Sequence, residues 1–303
     1  VSKSFVIWAE RYLQNKHFGK HQECNTRCLI DKVTRFEDEH KHPMNIDSMT
    51  ADDLRVFADF LSSDYDISMN TIVTNMTLMR TVCNWVRKQG VTNNDPFFGY
   101  DMPKALYGTP YFLTIQERDQ VLDADLTDDA ELAEYRDMFV FQCMVGCRHS
   151  DLVTFTPKNI IDGVLEYIPI KTKGKLGDVV RVPLIPKAMA ILDGHDHGDD
   201  EPIFPKHYNF KFNDAIRRIL KRAKVNRVVT VINPKTRLEE KKPISDVATS
   251  HLARRTFIGN LYRMVKDPDL VASMSGHAKG SVAFARYRVI DDDMKKSLVE
   301  LIQ

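Results

Sequence analysis

Between Val91 and Pro110 the chain reads VTNNDPFFGYDMPKALYGTP, rich in proline, glycine and asparagine. Proline removes a backbone donor and clashes with a helical turn before it, so no regular helix passes through this stretch. It therefore divides the 303 residues into a first part of residues 1–106 and a second of residues 107–303. Either is long enough to bury a core of its own.

The two parts differ in periodicity. In the first, Phe5, Trp8, Ala9, Tyr12 and Leu13 keep a 3.6-residue period, and so do Leu29, Val33 and Phe36 in a helix expected over residues 25–40. Thr50-Ala-Asp-Asp opens a third helix carrying Leu54, Phe57 and Leu61. Ser68 opens a fourth carrying Ile72, Met76, Met79, Val82 and Val86, which Gly90 stops. The second part predicts helices from Thr114 to about residue 125 and from Tyr135 to Val145. The period then falls to 2 in Val164–Ile170 and Val179–Leu184, two strands joined by a lysine-bearing hairpin turn. Further helices are expected from Pro186 to Leu192 and from Asn209 to Ala223, and a small hairpin around Asn233-Pro234. The fold class is mainly α in two domains: a helical one, and a mixed α+β one with a small antiparallel sheet.

Lys and Arg number 43 against 42 Asp and Glu, so any basic footprint must be local. It is: residues 211–242 hold eleven Lys or Arg and three Asp or Glu. The ordinary explanation of such a run is a solvated face. Five cysteines without a disulfide-like framework point to a reducing compartment. No apolar run reaches membrane-spanning length and no signal peptide is visible, so a cytoplasmic location is expected. The chain opens on Val1 rather than methionine, as a piece of something longer would. His17, His21, Cys24 and Cys28 have a zinc-like look, but all four fall in one short stretch, unlike a finger. The acidic, histidine-containing run 193–201 reads as a loop, and Cys143 and Cys147 as buried small residues.

Chemistry concentrates in residues 250–288. His251 and Arg254 are three apart and share a helix face, which Arg255 cannot also share. Gly276 stops the next helix, His277 follows it, and Tyr287 lies ten residues on. Upstream, Arg148 follows the break at Gly146, with Asp151 placed to hold the turn, and Lys171, Lys173 and Lys175 sit at the hairpin. Each piece has an ordinary explanation as a surface ion, a cap or a solvated loop tip. Together, cations that grip a phosphate, two histidines and a phenol point to phosphoryl transfer rather than acyl transfer.

In their order and spacing, Arg148, a hairpin lysine, His251-Leu-Ala-Arg254, Gly276-His277 and Tyr287 resemble the tyrosine recombinases of the phage integrase type, over nearly the whole chain. The step from His277 to Tyr287 is one residue longer than the family pattern, and Arg255 stands where many members have a second histidine. The resemblance implies that residues 1–106 are a core-binding domain and 107–303 the catalytic domain. It makes Tyr287 the nucleophile that forms a 3′-phosphotyrosine on DNA. Arg148, Arg254 and His277 become phosphate ligands, His251 the base, and Lys171 the acid, with Lys173 in reserve. No metal or cofactor is expected, because the arginines supply the charge. The partners implied are double-stranded DNA at recombination sites, three further copies in a tetramer, and an accessory DNA-bending protein, in a bacterial or phage-encoded, nucleoid-associated setting. DNA contacts are expected from Arg80, Arg87 and Lys88, from Arg217, Arg218 and Lys221 on the basic helix, from Lys173, and from Arg255. An integrase of a mobile element, with an arm-binding domain preceding Val1, is the reading. The alternatives are a type IB topoisomerase-like enzyme that only relaxes DNA, and a DNA-binding protein without strand exchange.

Overall fold

The structure is a computed structural model that describes residues 3–15, 19–108, 110–172, 179–195, 198–265, 267–277 and 299–300. It has two compact units, Val1–Tyr107 with Ile232–Glu239, and Gly108–Val231 with Glu240–Gln303.

The first unit is built on α1 (Phe5–Gln14), α2 (Lys20–His40), α3 (Ala51–Ser63) and α4 (Met69–Lys88). Their apolar faces close on one core, in which Phe5, Tyr12, Phe36, Phe57, Met76 and Val86 are buried. Trp85 joins α4 to α1 through a tilted contact with Trp8 and an edge contact with Tyr12, whose ring centroids lie 6.2 and 5.4 Å away. Starts are fixed by side chains. Thr50 and Asp53 form a reciprocal capping box on α3, and Ser68 accepts from the Thr71 N–H at 3.2 Å. α2 begins five residues before the periodic apolar positions predict. Its first turn, Lys20 to Glu23, is polar and leaves no hydrophobic period to read.

In the second unit α5 (Ile115–Leu122) and α6 (Ala130–Val145) are followed by the short α7 (His149–Leu152). A three-stranded antiparallel sheet comes next, in the order β1 (Ile160–Ile161), β2 (Val164–Tyr167), β3 (Val180–Pro183). Then come α8 (Pro186–Asp193), α9 (Asn209–Arg222), the paired β4 (Val228–Ile232) and β5 (Glu239–Pro243), α10 (Ile244–Val247), α11 (Ser250–Val265) and α12 (Pro268–Ser275). From Met138 to Val145 every residue of α6 is buried, which makes it the central helix. α11 lies against its C-terminal end. Gly146 has φ +69°, and a Cβ there would fall inside the Phe257 ring, so only glycine lets α11 approach so closely.

The strands are shorter than the alternating pattern predicts. β2 ends at Tyr167, and residues 170–172 form a 3₁₀ turn instead of continuing the ladder. Pro169 has no N–H to give the sheet, and the Ile170 N–H is taken by the Asp151 carboxylate at 2.9 Å. Lys171 is thus on a turn after β2, not on a regular hairpin strand. Met294, Leu298 and Leu301, whose spacing in the sequence is that of one helix face, lie outside the described residues.

Candidate active site

The site grows from the end of α6 and the start of α11. Arg254 is only 1% exposed, and its partners include a carbonyl and an imidazole. Its Nη1 donates to the Gly146 carbonyl at 2.7 Å, and its Nη2 lies 3.0 and 3.2 Å from the two ring nitrogens of His277. His277 follows the left-handed Gly276, and its backbone N–H closes on the Ala272 carbonyl at 3.0 Å. Ser275 Oγ donates to the Val271 carbonyl at 2.8 Å and so accepts from His277 Nδ1 at 2.9 Å. That leaves the ring's lone pair on Nε2, 3.2 Å from Arg254 Nη2.

Arg148 caps α7, 4.0 Å from the buried Asp151 carboxylate. Asp151 spends its other oxygen on Ile170, which ties the Arg148 turn to the Lys171 turn. A cavity of about 570 Å³ is lined by Gln142, Arg148, His149, Asn209, Asn213, His251 and Arg254, among others. The electrostatics agree with the geometry. Burial, then Arg254, Arg148, His251 and Lys171, push the His277 pKa down to about 3. Partial desolvation, then Arg255, Arg254 and Arg148, push His251 down to about 4, although the residue is exposed. Both imidazoles are therefore neutral at pH 7, in a field of positive charge with a lone pair to offer.

Five of the six predicted catalytic residues are thus neighbours: Arg148, Lys171, His251, Arg254 and His277. Tyr287 and Lys173 lie outside the described residues. The remaining expected contacts are dispersed. Arg255 stacks its guanidinium 5.2 Å from the Tyr111 ring centroid. On α9, Arg217 pairs with Asp214 at 3.5 Å, Arg218 with Asp129 at 2.7 Å and Lys221 with Asp246 at 2.8 Å. In the first unit Arg87 pairs with Asp95 at 2.6 Å, while Arg80 and Lys88 are exposed on α4. Asn70 of α4 is engaged by the Leu106 backbone through two hydrogen bonds, and Asn75 turns inward onto the Thr71 carbonyl.

Sequence reasoning missed the two asparagines that line the cavity. Their only signal was a spacing of four at a helix start. Among the described residues no group of three or more His, Cys, Asp or Glu is placed to hold a metal, and no helix is long and apolar enough to cross a membrane.

A sequence model of the phage integrase family matches residues 111–294, and one of the phage integrase SAM-like domain matches residues 4–102. No curated protein matches in sequence. Among solved structures the chain is similar to the Tn1549 transposon integrase in complex with a circular intermediate DNA, at 15% identity and a TM-score of 0.73, with 100% of each chain covered. It is also similar to a lambda integrase fragment, solved as a dimer bound to a COC′ core site, at 14% identity and a TM-score of 0.69, covering 94% of this chain and 95% of that one. At such identities the likeness is one of fold.

Proposed function

This chain belongs to the phage integrase family and is a tyrosine recombinase, and we propose that it cuts and rejoins duplex DNA through a covalent 3′-phosphotyrosine on Tyr287, at the ends of a mobile element. The observation that carries the reading is a cavity lined by Arg148, His251 and Arg254, with the neutral His277 against Arg254 and the Lys171 turn tied to the Arg148 turn through Asp151.

In this reading the scissile phosphate enters between Arg148 and Arg254. Arg254 keeps Nη1 on the Gly146 carbonyl and turns Nη2 from His277 to a non-bridging oxygen. The incoming anion favours protonation of His277, whose Nε2–H then donates to the same phosphate. His251, neutral beforehand, takes the Tyr287 phenol proton as the oxygen attacks phosphorus. The P–O5′ bond breaks, and Lys171 protonates the departing 5′-oxygen. The arginines stabilise the charge of the pentavalent transition state. The phosphotyrosine conserves the bond, so a 5′-hydroxyl from a second duplex reseals the strand by the reverse steps. Support for the mobile-element role comes from the transposon and phage integrases that share the fold, both solved on DNA. A tetramer of the chain on two duplexes follows from the need to exchange strands between sites.

The test uses nicked suicide substrates cut from the ends of the encoding element, with wild type and Tyr287→Phe compared on a denaturing gel. A covalent band in wild type that is absent from the variant is expected. A band that persists in Tyr287→Phe moves the nucleophile elsewhere.

A further inference from the structure

Asn209 and Asn213 sit one helical turn apart at the beginning of α9, beside its apolar stripe of Phe212, Ile216 and Leu220. Both are turned towards the start of α11. The Ser250 backbone N–H donates to Asn213 Oδ1 at 2.7 Å, and the Ser250 hydroxyl lies 3.1 Å from Asn209 Oδ1. Only an oxygen can accept from a main-chain N–H, so the orientation of the Asn213 amide is fixed and its NH₂ group faces away from Ser250. Both asparagines border the cavity that also takes in Arg148, His251 and Arg254.

We propose that Asn213, with Asn209 beside it, is a DNA phosphate ligand: it caps α11 through Oδ1 and donates from Nδ2 to a non-bridging oxygen of a backbone phosphate in this cavity. The proposal rests on the strand-exchange reading above and deepens it. A neutral donor suits the position. The cavity already holds two guanidiniums, whose charge adds to the burial that depresses both histidines. A third cation would add to that repulsion in the absence of DNA, whereas an amide adds a hydrogen bond without charge. The same side chain also fixes the first turn of α11, so it couples the seating of a phosphate to the placement of His251, one residue after Ser250.

A cycle between protein and DNA changes tests this. Asn213→Ala and Asn213→Asp are compared with wild type on nicked duplexes that carry either natural phosphates or one neutral methylphosphonate. The methylphosphonate is placed at the scissile position or at either neighbour. Dissociation constant and single-turnover adduct formation are both read. On natural DNA, Asn213→Ala is expected to lose roughly 10- to 100-fold, the size of one hydrogen bond to a charged group. That loss should vanish on one of the three methylphosphonate duplexes. Asn213→Asp keeps an acceptor for Ser250 and should keep the wild-type melting temperature, yet bind natural DNA more weakly than Asn213→Ala. It also carries the cycle if the alanine variant does not fold. An equal loss on all four duplexes, or an aspartate variant that binds and reacts like wild type, overturns the proposal and leaves Asn213 a cap. If wild type forms no adduct, the strand-exchange reading fails, while the binding cycle still decides the phosphate contact.

Discussion

Two groups of arginines in the second unit have opposite fates. On α9, Arg217, Arg218 and Arg222 are surface residues, each matched to an aspartate. At the meeting of α6 and α11, Arg254 is buried and held by a carbonyl and an imidazole. An exposed pair gains little over its hydrated charges and exchanges partners cheaply. Hydrogen bonds to a carbonyl and an imidazole do not neutralise a guanidinium, so these two contacts leave its charge to the cavity it lines. The density of basic residues in the sequence therefore points to α9, while the proposed chemistry gathers around Arg254, outside that run.

The strongest test of this contrast is Arg254→Lys. An ammonium cannot hold the Gly146 carbonyl and still present a fork to phosphate, so adduct formation on suicide DNA should fall on the order of 10²- to 10³-fold. A near-wild-type rate would mean that charge alone suffices. Gly146→Ala comes next. Its positive φ and the overlap of a Cβ with Phe257 should cost about 2–4 kcal/mol in denaturant unfolding, and adduct formation should fall with it as α11 is displaced.

The pH dependence is a subtler test. His251 and His277 are depressed from 6.5 to about 4 and about 3, so the unfolded chain binds more protons than the folded one below pH 6.5. Stability of the DNA-free protein should then decline as pH falls from about 6.5 towards 4. His277→Gln should flatten that decline in thermal melts at pH 7 and pH 5, and a slope unchanged by the substitution would count against the buried cationic site. The smallest effect is expected from Arg218→Ala and Arg222→Ala, each within about 0.5 kcal/mol in stability. Their salt dependence sharpens the comparison: each arginine that also tracks a phosphate contributes about 0.9 to the slope of log affinity against log salt. An intact slope removes α9's arginines from the DNA path.

Much of the architecture was legible because local rules govern it. The periodic apolar residues of α1, α3 and α4, the caps at Thr50, Ser68 and Thr114, and the change of period at Val164 all act over a few residues, and the elements form where these signals fall. The set Arg148, Lys171, His251, Arg254, His277 was read through the resemblance to a family, since each piece alone has an ordinary explanation. What the chain could not disclose alone was partnership across distance. That Arg254 is buried against Gly146, that Asp151 ties Arg148 to the Lys171 turn, and that Asn213 reaches the start of α11 are contacts over 108, 19 and 37 positions. The same is true of Asp129 and Asp128, which pair with Arg218 and Arg222 across 89 and 94 positions. Sequence determined which groups are present and which helices carry them. Tertiary packing decided which charges are spent on the protein and which are kept for a ligand, because desolvation and the choice of neutral or ionic partner exist only once the helices meet.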